Sequence, residues 1–353
     1  MNYPINKIPV AVLGATGAVG QRFVRLLANH PWFYLSTLAA SDRSAGKRYS
    51  EACRWILPDE MPIEAAELTV QPAEPGFEAR IVFSALPADA ARDIEPAFAR
   101  VGYTVCSNSS AYRLDPLVPL LIPEMNADHV SLIERQKQEK GWKGLLVTSP
   151  NCTTTGAALP LKPIYETYGI KKVFAVSMQA VSGAGYPGIP FLDIHDNVVP
   201  FIKGEEEKLQ RETLALLGKM VDGKREDAEI IISAQCNRVP VFDGHTVCLS
   251  LKLDKKADIP DIIRVLREFK AESIGKNLPS APPFPLHITE EPDRPQPRRD
   301  RERGRGMVVT VGRVRPCPIL DVRMVSMVHN TLRGAASGAI LNAELLTAKG
   351  YIV

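Results

Sequence analysis

Apolar residues fall in two repeating registers along the first half of the chain. Lys7–Leu13 is a compact apolar run, β-branched at Ile8, Val10 and Val12, which predicts a buried strand. The turn Gly14-Ala15-Thr16-Gly17-Ala18-Val19-Gly20 follows. Gln21–Asn29 then carries Phe23, Val24, Leu26 and Leu27 at helical spacing, and Pro31 ends it. Phe33–Ala40 predicts a second strand. Strand, glycine turn, helix and strand in this order form the first half of a dinucleotide-binding βαβ unit. Further strands are predicted at Glu67–Val70, Ile81–Ser84 and Thr104–Ser107, with a helix over Asp89–Val101. The alternation runs to about Val147 and predicts a parallel, doubly wound sheet.

Past Ser149 the pattern changes. Val173–Val181, Glu229–Ala234, Thr246–Leu253 and Met307–Arg315 are long strand-like runs with few helices between them. Thr246–Leu253 alternates strictly: Val247, Leu249, Leu251 and Leu253 share one face, while Thr246, Cys248, Ser250 and Lys252 share the other. That is a sheet with one covered face. Ile259–Ser273 and Asn330–Lys349 are the helix candidates. An α/β nucleotide domain followed by an α+β domain is the expected organisation, with the boundary near Ser149.

Length and charge narrow the classes. At 353 residues and 38.7 kDa, two or three domains are expected. With 45% hydrophobic and 24% charged residues the chain is neither largely disordered nor fibrous. A net charge of +3 predicts no nucleic-acid or membrane binding by bulk electrostatics. No apolar run approaches the roughly 18 residues that span a bilayer. Met1–Lys7 lacks the pattern of a signal peptide, so a cytoplasmic protein is expected. The six cysteines form neither a CxxC pair nor a zinc-like cluster with histidine, and no metal is expected.

Four segments carry candidate chemistry. Gly14–Gly20 is GxxGxxG; glycine lets the backbone approach a pyrophosphate at a helix N-terminus, although glycine after a strand also makes a plain tight turn. At the end of the second strand, Ser41, Arg43 and Ser44 suit the 2′-phosphate of NADP, while Asp42 argues mildly for NAD. Cys152, in Ser149-Pro150-Asn151-Cys152, precedes the helix-like Ala157–Tyr168, where dipole and free N–H groups would lower a thiol's pKa. Asn151 and the neighbouring hydroxyls could supply donors to an oxyanion. Pro160 and Pro163 imply a short or kinked helix, and on spacing alone a buried structural cysteine is the better reading. Arg238 and His245 flank a turn, so a carboxylate-binding arginine and a proton-transferring histidine could share a pocket; a locally satisfied histidine is the plainer alternative. Leu278–Gly306, Pro-rich then Arg-rich, reads as a solvated or subunit-bridging loop because acids are interleaved with its arginines.

Together these residues resemble the aspartate-β-semialdehyde dehydrogenases, and more closely their archaeal and fungal branch. The resemblance runs almost end to end. It rests on Gly14-Ala15-Thr16-Gly17, Ala40–Lys47, Ser107–Arg113, Pro150-Asn151-Cys152, Gly204–Lys208, Arg238-Val239-Pro240 with Gly244-His245, and His329–Ala336. It implies a Rossmann-type NADP-binding domain over residues 1–149, completed by a C-terminal helix over 330–353, and a catalytic and dimerisation domain with a mixed sheet over 150–329. It implies Cys152 as nucleophile, His245 as acid/base and Gln179 as the residue orienting substrate. Arg238 would bind the α-carboxylate, Glu205 the amino group (with the register among Glu205, Glu206 and Glu207 open), and Arg113 and Lys208 the phosphate, with Asn151 beside the substrate. Cofactor contacts would come from Gly14, Thr16, Gly17, Ala18, Val19, Ser41, Arg43, Ser44, Ser84, Leu86, Ser182, Gly183 and Asn330.

The implied reaction converts L-aspartyl 4-phosphate and NADPH into L-aspartate 4-semialdehyde, NADP and phosphate through a Cys152 thioester, on the route to lysine, methionine and threonine. A homodimer or homotetramer is implied. Three alternatives remain at this level. N-acetyl-glutamyl-phosphate reductases usually carry Pro-Gly-Cys rather than Pro-Asn-Cys. A malonyl-CoA reductase would share Cys152 and His245 but not need Arg113 and Lys208. A non-catalytic NADP-binding regulator would have no need of Cys152 with His245.

Overall fold

The computed structural model describes residues 6–270 and 277–352. Two six-stranded sheets organise it. The first half contributes β1 (Ile8–Leu13), α1 (Ala18–Leu27), β2 (Phe33–Ala40), single turns α2 (Tyr49–Ala52) and α3 (Ile63–Ala66), β3 (Gln71–Pro72), β4 (Ile81–Ser84), α4 (Ala88–Val101), β5 (Thr104–Ser107), α5 (Pro123–Asn126), α6 (Leu132–Lys140) and β6 (Leu145–Thr148). Strand order is β3-β2-β1-β4-β5-β6, with every pairing parallel. Val10 and Val12 of β1, Phe83 of β4 and Phe23 of α1 are fully buried, and the Phe23 and Phe83 rings stack at 5.0 Å. The doubly wound parallel sheet read from the alternation is therefore present.

The second half contributes α7 (Cys152–Tyr168), β7 (Ile170–Gln179), α8 (Phe191–Ile194), α9 (Glu205–Leu216), β8 (Lys219–Val221), β9 (Lys224–Glu226), β10 (Ile231–Arg238), β11 (His245–Leu253), α10 (Ile259–Glu268), β12 (Leu286–Ile288), α11 (Pro297–Asp300), β13 (Val309–Pro316), β14 (Val322–Val328) and α12 (Ser337–Ala348). Its mixed sheet has the order β10-β7-β11-β14-β13-β12. α7 lies across β11 and β14. Under it Val247, Leu249, Leu251 and Leu253 are buried, while Lys252 on the opposite face is exposed, matching the alternation. α12 returns to the first sheet, where Ala339, Ile340, Ala343 and Leu346 join its core.

Five local expectations are corrected. Glu67–Val70 does not join the sheet: Leu68 and Val70 hydrogen-bond to the loop Gly46–Tyr49, and only Gln71–Pro72 pairs with β2. The C-terminal helix starts at Ser337 rather than Asn330, because a π turn over Leu332–Ala336 with a non-helical Ala335 intervenes. α7 is not short: it starts at Cys152, runs 17 residues and contains both Pro160 and Pro163. Pro160 has no N–H for the Gly156 carbonyl, and Ser326 Oγ donates to that oxygen instead at 2.6 Å. α9 lies in a stretch where few helices were expected. The Leu278–Gly306 segment is not a plain solvated loop: it contributes β12, which pairs with β13, and α11, and buried Asp300 accepts from Arg294 and from the Gln296 N–H, although Arg298, Arg299 and Arg303 are exposed. The end of the predicted Ile259–Ser273 helix and the leader reading at Met1–Ile5 lie outside the described residues.

Candidate active site

Strand register assembles one wall of the site. β10 runs parallel to β7 and sets Arg238 beside Gln179. β11 runs antiparallel to β7 with Thr246 opposite Met178, so His245 arrives beside Gln179. All three side chains are buried. The peptide of Ala180 then holds two of them: its N–H donates to His245 Nδ1 at 3.0 Å, and its carbonyl accepts from Arg238 Nη1 at 2.8 Å. The loop over Val181–Ala184 covers them; a Cβ on Gly183 would lie 2.8 Å from Arg238 Nη1 and 3.1 Å from His245 Nε2.

The other wall is the start of α7. Asn151 caps this helix, its Oδ1 accepting from the Thr153 and Thr154 N–H groups at 2.9 and 3.2 Å. Cys152 follows as the first helical residue. The π turn passes directly over it: a Cβ on Gly334 would lie 2.5 Å from Cys152 Cβ. That turn is pinned by Arg333, which makes two bonds of 2.6 and 2.7 Å to Glu124 with both side chains buried. One face of α9 then supplies charge. Glu205 accepts from Asn151 Nδ2 at 2.8 Å and from Lys208 Nζ at 3.0 Å. Glu206 instead accepts from the Cys236 N–H, and Glu207 is exposed, so Glu205 is the glutamate of the three that meets Asn151. Arg113 donates from Nη2 to the Asn108 carbonyl at 2.7 Å and from Nη1 to Glu212 at 3.1 Å.

Burial dominates the electrostatics. The Cys152 thiol is pushed up to about 12 by burial and then by Glu205; Arg113 and the Thr153 N–H and hydroxyl oppose this. Burial thus works against the thiolate expected at a helix terminus, and Asn151 already engages two of the N–H groups at the helix start. His245 is pushed down to about 3 by burial, then by Arg238 and His329. It is a neutral imidazole whose Nδ1 is an acceptor, which leaves its proton on a buried Nε2 with no protein partner among the described residues. Burial also lowers the Arg238 pKa, while Cys152 and Glu205 lie close enough to raise it. Burial therefore favours the protonated thiol at Cys152 and the neutral imidazole at His245. Asn151 offers no free oxyanion donor on the side bonded to Glu205.

The turn after β1 fits a dinucleotide. Gly14 has φ +72°, and a Cβ there would meet the Ala85 carbonyl oxygen at 2.8 Å. The N–H groups of Ala18, Val19 and Gly20 open α1 with no main-chain partner among the described residues. Leu86 lies beside Gly14 and Ser84 ends β4, so both flank the turn containing Thr16 and Gly17. Ser41 and Arg43 are exposed and Ser44 half-buried in the turn after β2; Arg43 makes no ion pair among the described residues. Asn330 joins Ser182 Oγ, at 2.7 Å, to the Gly244 N–H, at 2.8 Å. A cavity of about 490 Å³ opens beside Ala18, Ser182 and Thr331.

The motif residues thus converge on α7, the ends of β7, β10 and β11, and the face of α9. Glu212 and Glu124 escaped sequence reasoning, and Arg333 and Gly334, inside the His329–Ala336 motif, were given no role. Glu212 had a signal: it stands seven residues after Glu205 and four after Lys208, on one helix face. The Glu124–Arg333 pair had none, being 209 residues apart.

Residues 9–133 match the model of a semialdehyde dehydrogenase NAD binding domain, and residues 161–333 that of a semialdehyde dehydrogenase dimerisation domain. The chain belongs to the semialdehyde dehydrogenase family. The aspartate-semialdehyde dehydrogenase of Archaeoglobus fulgidus is 50% identical to this family member over 96% of this chain and 97% of its own. That of Saccharomyces cerevisiae is 43% identical over 97% of this chain and 98% of its own. Among solved structures, the aspartate semialdehyde dehydrogenase of Candida albicans with NADP superposes with a TM-score of 0.90, at 42% identity, covering 98% of this chain and 100% of that one. The Vibrio cholerae aspartate semialdehyde dehydrogenase II complexed with ASA gives 0.76 at 26% identity, covering 97% of this chain and 98% of that one. This member is thus closer to these archaeal and fungal relatives than to the bacterial one. Among the described residues no helix is long and apolar enough to cross a membrane.

Proposed function

We propose that this semialdehyde dehydrogenase reduces L-aspartyl 4-phosphate to L-aspartate 4-semialdehyde with NADPH, releasing phosphate, on the route to lysine, methionine and threonine. One observation carries the reading. Cys152 opens a helix within electrostatic reach of Arg113 and of Arg238, with Lys208 held by Glu205 and the neutral His245 held with Arg238 at Ala180. The names of the relatives support it, as does the NADP in the Candida albicans structure.

Each side chain then has a role. Sulfur of Cys152 bonds to the acyl carbon as the carbon–oxygen bond to phosphate breaks, and the thiol proton leaves with the phosphate. Arg113 and Lys208 hold that phosphate and stabilise its developing charge. Arg238 keeps Nε and Nη2 for the α-carboxylate, since Nη1 is committed to Ala180. Glu205 receives the amino group. Gln179, braced by its bond to Ser177 Oγ, orients the acyl group. His245 donates a hydrogen bond from Nε2 to the carbonyl oxygen as hydride adds to the thioester carbon and negative charge gathers there; when the carbon–sulfur bond then breaks to release the aldehyde, the sulfur takes up one proton from solvent. Gly14–Val19 would hold the nicotinamide cofactor, with Ser41, Arg43 and Ser44 toward its 2′-phosphate, and the bound cofactor would supply the hydride.

The same proposal includes a division near Ser149 into nucleotide and catalytic parts, a cytoplasmic location, and a homodimer or homotetramer. The open face of the mixed sheet exposes Phe174, Ile231 and Ile319, and the family's dimerisation model spans it. The deciding assay runs backwards: protein, L-aspartate 4-semialdehyde, phosphate and NADP are followed at the NADPH absorbance band. Phosphate-dependent NADPH formation is expected. Failure here, with NADPH consumption on malonyl-CoA, would replace the proposal with an acyl-thioester reductase.

A further inference from the structure

Glu212 is a buried carboxylate, 1% exposed, whose two oxygens hold two different parts of the α7 wall. Oε1 accepts from Arg113 Nη1 at 3.1 Å. Oε2 accepts from the main-chain N–H of Asn151 at 2.6 Å. Asn151 is the cap of α7 and the residue before the thiol. The other edge of the Arg113 guanidinium is held by the Asn108 carbonyl, 2.7 Å from Nη2. Arg113 is therefore clamped at both terminal nitrogens, and its buried Nε has no partner among the described residues.

We propose that Glu212 is the positioning residue that fixes the phosphate-binding guanidinium in register with the nucleophile. The inference rests on the phosphate site proposed above. A planar guanidinium recognises a tetrahedral anion through several N–H groups aimed together, so its orientation matters as much as its charge. A carboxylate shared between Arg113 and the Asn151 peptide makes that orientation a property of the helix start that holds Cys152. Glu212 also balances charge: without ligand, Arg113 and Lys208 face Glu205 and Glu212. Removing the Glu212 charge alone would tighten anion binding, and losing its tether would weaken it. The two effects have opposite signs, so one variant separates them.

That variant is Glu212→Gln, whose amide nitrogen cannot accept from either donor, so one of the two tethers is lost. Two readouts are taken. The first is the inorganic phosphate concentration that half-protects Cys152 from iodoacetamide, measured without turnover. The second is the set of half-saturating phosphate, aldehyde and NADP concentrations in the reverse reaction. Both phosphate values should rise about tenfold, the scale of one charge-assisted hydrogen bond. The aldehyde and NADP values should stay within about twofold. Glu212→Asp, which keeps both acceptors on a shorter stem, should recover part of the loss. Unchanged or tighter phosphate binding in Glu212→Gln would overturn the assignment, as would all three constants worsening together with a lowered Tm. Failure of phosphate to protect the parent protein would instead remove the phosphate site itself, a result distinct from either.

Discussion

Gly334 occupies the point where the π turn crosses Cys152, and Gly334→Ala tests how tightly the thiol is placed. The added methyl would stand 2.5 Å from Cys152 Cβ and 2.7 Å from its Cα. Non-bonded carbons settle about 3.5–4.0 Å apart, so the two segments must part by about 1 Å. Neither can yield freely. Arg333 is fastened to Glu124, while Asn151 is fastened to Glu212 and Glu205. Overpacking of this kind costs about 1–3 kcal/mol. A chain stable by about 5–15 kcal/mol should survive that. A displacement of about 1 Å in a reacting atom costs on the order of 100-fold in rate. The expected result is kcat/KM reduced about 100-fold with NADPH affinity, read by its fluorescence, unchanged and Tm a few degrees lower. Turnover within about threefold of the parent would refute the reasoning, because the thiol would then tolerate the very displacement the geometry forces.

The remaining expectations concern charge. Because burial holds the Cys152 thiol near about 12, alkylation of the free protein should quicken about tenfold per pH unit through pH 9. A plateau near neutrality would show a thiolate already present. His245→Ala should lower kcat by about 100-fold or more while leaving cofactor affinity intact, and a defect confined to KM would contradict its role as proton donor. The same histidine bears on stability. Its folded pKa of about 3 lies below the ordinary 6.5, so the unfolded chain binds the extra proton, and stability is lost as pH falls between those values. Urea titrations at pH 7 and 5 should show the parent losing about 1 kcal/mol more per pH unit than His245→Asn; equal losses would place the proton elsewhere. Arg43→Ala should erode the preference for NADPH over NADH, and an unchanged ratio would mean that other groups read the 2′-phosphate.

Legibility in the sequence followed range. β1, β2, β4 and β5 were readable because each is a short apolar run closed by its own turn. The Cys152 and His245 motifs were readable as residue types in a known order. Their ionisation was not, because burial is a property of the assembled walls: the local signal at Cys152, a helix terminus, pointed the other way. Pro160 misled for a similar reason, since the hydroxyl that satisfies the Gly156 carbonyl comes from Ser326, 170 residues later. Glu67–Val70 looked like a strand because Leu68, Thr69 and Val70 are apolar or β-branched, yet Glu67 caps α3 and the rest bonds to the Gly46–Tyr49 segment. Glu205, Lys208 and Glu212 were legible as one helix face once α9 was recognised, and an acidic segment with weak apolar periodicity did not announce a helix.

The return of α12 to the first sheet has a consequence for synthesis. Ala339, Ile340, Ala343 and Leu346 seal the same core as Val10, Val12 and Phe83, but the ribosome makes them after the whole mixed sheet. Until then the nascent parallel sheet carries an open apolar groove. Chaperone occupancy on the growing chain should persist through the catalytic half and fall only when Ser337–Ala348 clears the exit tunnel.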